Sequence, residues 1–167
     1  MRSELQDKIE YYVLGGNFEA VKELMQTTDF LMFEEAFISA SHDSESIQFY
    51  TFLMELMKDH ETVELHDLAF LLLVYPLSEV SGAFESAYYH ATRSVELTDH
   101  KEIKSLLQLL FLYAVPNPVI SDKEAFDVSK QILKLDPNNQ VARNMMKQAA
   151  KKLDQVVVDI HSFTKRA

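Results

Sequence analysis

A chain of 167 residues and 19.3 kDa, 47% apolar, is long enough for one domain with a real core, and its composition argues against disorder. Three glycines and four prolines are too few for the many turns of an all-β fold, and the lack of cysteine excludes a disulfide framework and thiolate chemistry. The formal charge of −10 is uneven: residues 1–100 hold 19 Asp/Glu against 5 Lys/Arg, net −14, and residues 101–167 hold 7 against 11, net +4. A −14 segment repels phosphates, so it argues against direct nucleic-acid binding there and favours a basic partner. The opening MRSELQDKIE carries acids and no apolar block, so no signal peptide is expected. The longest apolar run, LAFLLLVYPL at 68–77, is 10 residues long. A membrane span needs roughly 20, so no membrane association is expected. A reducing cytoplasm fits the missing cysteines.

In chain order the apolar period is helical almost throughout. Leu5, Ile9, Tyr12 and Val13 form a first stripe, which Gly15-Gly16 stops. Asn17 caps a second helix with the stripe Phe18, Val21, Leu24 and Met25. Asp29 caps a third through about Ala40, and Ser41 to Ser44 reads as a polar break. Ile47, Tyr50, Met54 and Met57 follow at spacings of three and four. No stretch alternates as a strand would, and no hairpin dipeptide is present.

The second half repeats. LAFLLLVYP at 68–76 overlies QLLFLYAVP at 108–116 at an offset of 40, each a nearly all-apolar helix closed by proline. At the same offset Asp59-His60 falls on Asp99-His100, just before each helix. AYYHATRSVEL at 87–97 overlies AFDVSKQILKL at 125–135 at an offset of 38. Ala87 meets Ala125, Ala91 meets Ser129, and Leu97 meets Leu135. Small residues on one face let helices approach closely. Phe84, Ala87, Tyr88, Ala91 and Val95 form one helical stripe. Ser121 with Glu124 reads as a capping box, and Asp136-Pro137 ends that helix. A period near 40 residues means stacked helical hairpins.

The last helix runs from about Asn139 to Phe163, with Ala142, Met146, Ala149, Leu153, Val156, Ile160 and Phe163 as a narrow seam flanked by Lys147, Lys151 and Lys152. Covering the last repeat is its first reading; a homodimer seam is the competitor. An amphipathic membrane helix is disfavoured by the small basic face and the acidity elsewhere.

The stretch Ala125–Ala142, with its IL-x-L-DPNN-x2-A pattern, resembles the second helix and turn of a tetratricopeptide repeat, and SVELTD resembles a degenerate copy of that turn. The resemblance covers roughly residues 60 to 150. The period is near 40 rather than 34, and the family's Trp and Gly positions are missing from the first helices. It implies an all-α fold: a right-handed α-solenoid of antiparallel helical hairpins, about eight or nine helices, with a long C-terminal capping helix. One domain over 1–167 is expected. It divides into diverged N-terminal helices over 1–58, two clearer hairpin repeats over 59–137, and the C-terminal helix over 138–167. The pattern of GAFESAYYHA, a leucine-rich helix, ISDKEAF and DPNN also resembles bacterial immunity proteins that neutralise polymorphic or contact-dependent toxins.

No catalytic constellation, phosphate-binding glycine loop or cofactor motif stands out, so no enzyme activity and no cofactor are expected. His60, Glu61, Glu64, His66 and Asp67 lie together in HETVELHD, but His60 and His66 are six apart, about 600° around a helix, and on different sides. No metal site is expected; turn and surface histidines are the better reading. His90, beside Tyr88-Tyr89, reads as packed or hydrogen-bonded rather than a general base. Glu34-Glu35 and Glu61/Glu64 are carboxylate pairs with nothing placed opposite them.

Binding remains. Tyr89 falls off its core stripe, in line with Glu85, Arg93 and Glu96, and suits an interface anchor; a ring lying between two repeats with its hydroxyl wet competes. Asp43, Glu45, Asp59, Glu61, Glu64 and Asp67 cluster near the starts of two helices. Those not complementing helix dipoles would meet lysines and arginines of a partner. The expectation is a non-enzymatic protein-binding module, cytoplasmic, a monomer or a weak homodimer through the C-terminal helix. The resemblance implies an immunity protein that covers the active or substrate site of a basic toxin, such as a nuclease. A general adaptor that holds a peptide or assembles a complex is the alternative.

Overall fold

The computed structural model describes residues 2–164, with side chains described through residue 155. Among the described residues the protein is all-α, with nine helices and no strand. In order these are α1 (Glu4–Leu14), α2 (Phe18–Thr27), α3 (Phe30–Ser44), α4 (Gln48–Asp59), α5 (Val63–Val74), α6 (Ala83–Leu97), α7 (Ile103–Ala114), α8 (Asp122–Leu135) and α9 (Gln140–Thr164). The chain packs as two compact units, Met1–Ser94 and Val95–Ala167, divided near the end of α6.

Local chemistry sets the boundaries. Ser3, Asn17, Asp29, Thr62 and Ser121 each accept a backbone N–H at the start of the helix that follows, which satisfies one of the donors a helix leaves unpaired there. Gly16, at φ +69°, supplies the left-handed turn between α1 and α2 that a side chain would resist. α5 and α7 stop two residues before Pro76 and Pro116, as the proline rule requires.

The repeat is visible in the elements. Val63 to Ile103 and Val74 to Ala114 each differ by 40, and Leu97 and Leu135, which end α6 and α8, differ by 38. Burial follows the same register. Ala87 and Ala125 are fully buried, as are Ala91 and Ser129, while Leu71 and Phe111 are exposed at matched positions of α5 and α7. The turns are less alike. Asp99 and His100 both sit at positive φ after α6, whereas Asp59 is the last residue of α4 and His60 is extended.

The core of the first unit is built on phenylalanine. Phe37 of α3 meets Phe33, Phe49 and Phe52, and Phe52 also meets Phe18 of α2. Ile9 and Val13 close it from α1, and Leu65, Leu68 and Leu72 from α5. In the second unit α8 packs against both α7 and α9. Tyr113 of α7 donates to Asp122 of α8 at 2.7 Å, and Lys152 of α9 lies over the Tyr113 ring.

Two expectations are corrected. The polar break at Ser41–Ser44 is the last turn of α3; Ser41 is buried, and the Ser44 hydroxyl donates back to the Ala40 carbonyl, so these serines stay helical. In α4 the buried face is Phe49, Phe52, Leu53 and Leu56; of the expected stripe, Tyr50 and Met57 pack partly buried against that core, Met54 is half-buried and Ile47 is 49% exposed. That helix is apolar on two faces, and the phenylalanines, with more area to bury, take the core. The described half of the α9 seam faces inward: Ala142 and Ala149 are buried, and Met146 and Leu153 partly so. Val156, Ile160 and Phe163 lie outside the described side chains.

Candidate functional site

The first unit holds a buried polar chain that runs across α4, α5 and α6. α5 is almost wholly apolar, with eight of its twelve residues buried, and two of those eight are His66 and Asp67. Buried polar groups need partners. His66, 1% exposed, points its Nδ1 at the Nδ1 of His90, fully buried on α6, at 2.8 Å. The His66 Nε2 lies 2.8 Å from Glu61 Oε1. Arg93 grips the same carboxylate with Nε on Oε1 and Nη2 on Oε2, both at 2.9 Å. At the other end His90 Nε2 lies 3.0 Å from the Tyr50 hydroxyl. One helical position along, the Ser94 hydroxyl donates to Asp67 at 2.9 Å. His66 thus departs from the surface reading: it lies on the inward face of a helix buried nearly all round.

The donors and acceptors of this chain fix one another. Arg93, then His66, hold the Glu61 carboxyl down at about 2, so at neutral pH it is a carboxylate that only accepts. His66 must therefore donate from Nε2, which leaves its Nδ1 as an acceptor when neutral. His90 then donates from Nδ1 and accepts from the Tyr50 hydroxyl at Nε2. A proton added to His66 reverses the last two bonds. A proton on both rings is forbidden, because two N–H groups would collide across 2.8 Å. Burial, then the neighbouring His66, lowers the His90 imidazole to about 4. Burial, then Tyr89, raises the Tyr50 phenol. Every ring nitrogen of the pair is engaged, so neither imidazole offers a substrate a free base in this arrangement.

The expected partner-facing residues separate into two kinds. Glu61 and Asp67 serve the buried chain, and Asp67, 6% exposed, presents almost nothing to a partner. This corrects the surface reading of Asp67: it faces α6 rather than solvent. Asp43 accepts from Gln6 and lies near Arg2. Glu45 ends α3 in the left-handed conformation, exposed. Glu85, Tyr89 and Glu96 are exposed along α6; the Tyr89 ring, 51% exposed, also covers His90 at a centroid distance of 5.1 Å.

Asp59 and Glu64 fall together at the rim of a cleft of about 460 Å³ where α2 and α4 end and α3 and α5 begin. Met25, Phe30, Leu56 and Leu65 give it an apolar lining, with Lys22, Gln26, His60 and Thr62 completing the rim. Lys22 reaches Asp59 only loosely, at 3.9 Å. Sequence periodicity misses this cleft because its lining comes from the ends of four helices. A second cleft of about 460 Å³ in the other unit is polar, lined by His100, Asp127, Lys130, Gln131, Lys134 and Leu135. Among the described residues no group of three or more His, Asp or Glu is placed to hold a metal ion, and no helix is long and apolar enough to cross a membrane.

Comparison with protein-family models, with curated proteins and with solved structures returns no match for this chain.

Proposed function

We propose that this chain is a non-enzymatic protein-binding module of the immunity type, which neutralises a basic bacterial toxin by covering its active or substrate-binding surface. The observation that carries the reading is charge: residues 1–94 hold 17 Asp/Glu against 5 Lys/Arg, net −12. A nuclease is cationic where it holds phosphate, so an acidic helical surface competes for the same ground. Complementary potentials also steer encounter and make its rate fall with salt. The reading carries with it a cytoplasmic, bacterial setting and a monomer or weak homodimer.

The test is co-expression with the product of the adjacent reading frame. A stable complex that weakens between low and high salt, and rescue of cells from that product, are the expected results. Cells that survive the neighbour's expression without this chain would remove the toxin reading.

One observation favours the alternative, an adaptor that holds an acidic peptide: the polar cleft on α8 presents Lys130 and Lys134 side by side with Gln131. A peptide array that prefers acidic sequences, with the preference lost in Lys130→Ala/Lys134→Ala, would put this reading first.

A further inference from the structure

The geometry points to the cleft between the ends of α2 and α4 and the starts of α3 and α5 as an anchor site for an apolar or aromatic side chain of a basic partner, with a lysine or arginine beside it on Asp59 and Glu64. This rests on the basic-partner reading and adds the place and the chemistry of contact.

Three features support it. The volume, about 460 Å³, is more than one large side chain fills and lies in the range of roughly 300–1,000 Å³ typical of binding pockets. The lining is apolar, while the four helix ends around it leave the mouth polar. Anchor residues at interfaces use this combination: a desolvated pocket surrounded by groups that keep water out. The charge at the mouth selects the occupant. Asp59 and Glu64 are both exposed, and the one cation among the lining residues, Lys22, neutralises Asp59 poorly at 3.9 Å and leaves Glu64 to a partner. The surrounding unit, at −12, repels an acidic competitor. A neutral apolar molecule would fill the lining and leave both carboxylates unused.

The experiment titrates the full chain, labelled for NMR, with the peptide acetyl-Lys-Phe-Arg-Leu-Lys-amide and with its counterpart acetyl-Glu-Phe-Glu-Leu-Glu-amide. Expected are shifts at the amides of Met25, Gln26, Leu56 and Leu65 with the basic peptide, and at least tenfold weaker binding of the acidic one. Gln26→Trp, which fills the mouth from an exposed position, abolishes the shifts. Asp59→Asn, which adds no bulk and keeps the test open if the tryptophan variant misfolds, weakens binding several-fold. Equal binding of the two peptides, or unchanged binding to Gln26→Trp, overturns the anchor. Shifts confined to Asp43, Glu45 and Glu85 overturn the anchor and leave the basic-partner reading standing. No binding of the basic peptide at any salt concentration overturns both.

Discussion

His90 makes the first unit acid-sensitive in a window above the one in which Glu61 responds. Its imidazole is fully buried and titrates at about 4, against 6.5 for the unfolded chain. Below 6.5 the unfolded state takes up a proton that the folded state refuses, so stability falls as pH falls from 6.5 and levels off near 4. The full shift, about 2.5 units at 1.36 kcal/mol each, is about 3 kcal/mol. Most of it is lost above pH 4.5, before the carboxylate of Glu61, held at about 2 by Arg93 and His66, adds its own loss between 4.5 and 2. The groups facing His90 are Tyr50 of α4, His66 of α5 and Tyr89 on its own helix; Glu61 and Arg93 act through His66. Urea unfolding followed by circular dichroism at half-unit steps from pH 8 to 4.5 measures the slope. His90→Gln, which keeps a donor and an acceptor but cannot be protonated, should flatten it by about 2–3 kcal/mol across the window. A wild-type midpoint that stays level from pH 7 to 5, or an unchanged slope in His90→Gln, refutes the reasoning.

Other outcomes follow from the same structure. Phe37→Ala removes a ring that meets three other phenylalanines and should cost about 3–5 kcal/mol, enough to unfold the first unit in a thermal melt. Glu45→Gly relieves a non-glycine residue at φ 50° while keeping its N–H bond to the Ser41 carbonyl; a gain of about 0.5–1 kcal/mol in urea unfolding is expected. Ser121→Ala removes the α8 cap and should cost about 1 kcal/mol. His66→Leu with His90→Leu together should cost less than the sum of the two single changes, because His90→Leu alone leaves the buried His66 Nδ1 without its partner and the second change removes that orphan; a double-mutant cycle measures the difference.

The helices were legible because their signals are local. Asn17, Asp29 and Ser121 cap where their side chains say they should, and the prolines at 76 and 116 stop α5 and α7 at matched positions. What depends on choosing a face was less legible. α4 carries apolar residues on two sides, so periodicity alone put Ile47 inward; the core chose the phenylalanines. The histidine chain was half legible. His90 reads correctly as hydrogen-bonded, but its partner lies 24 residues away on another helix. A signal was present: His66-Asp67 opens a run otherwise almost free of polar groups, and α6 offers His90 and Ser94 four apart, on one helical face. Two adjacent polar residues on one helix facing an i, i+4 polar pair on the next is a pattern that names both partners. The cleft left no such trace, since no single segment contributes more than a few of its walls.

That pattern also accounts for why a nearly all-apolar helix tolerates two titratable groups. With almost every face of α5 apolar, area burial barely distinguishes one rotation about its axis from another. His66 on His90 and Asp67 on Ser94 distinguish them sharply: turning α5 by one residue, about 100°, breaks both bonds and leaves the buried Nδ1 atoms of His66 and His90 without the partner each has. Each orphaned group costs about 1–3 kcal/mol, so the wrong rotation is penalised by more than the correct one gains from its hydrogen bonds. The paired helix α7 does not need the device to the same degree. Its Lys104, Gln108, Phe111 and Ala114 are exposed or half-buried, so amphipathicity already orients it. The polar chain in the first unit thus does for α5 what surface exposure does for α7, and its proton sensitivity is a consequence of using histidine, whose two ring nitrogens each take a neighbour, so that two imidazoles link a tyrosine to a carboxylate in a single line.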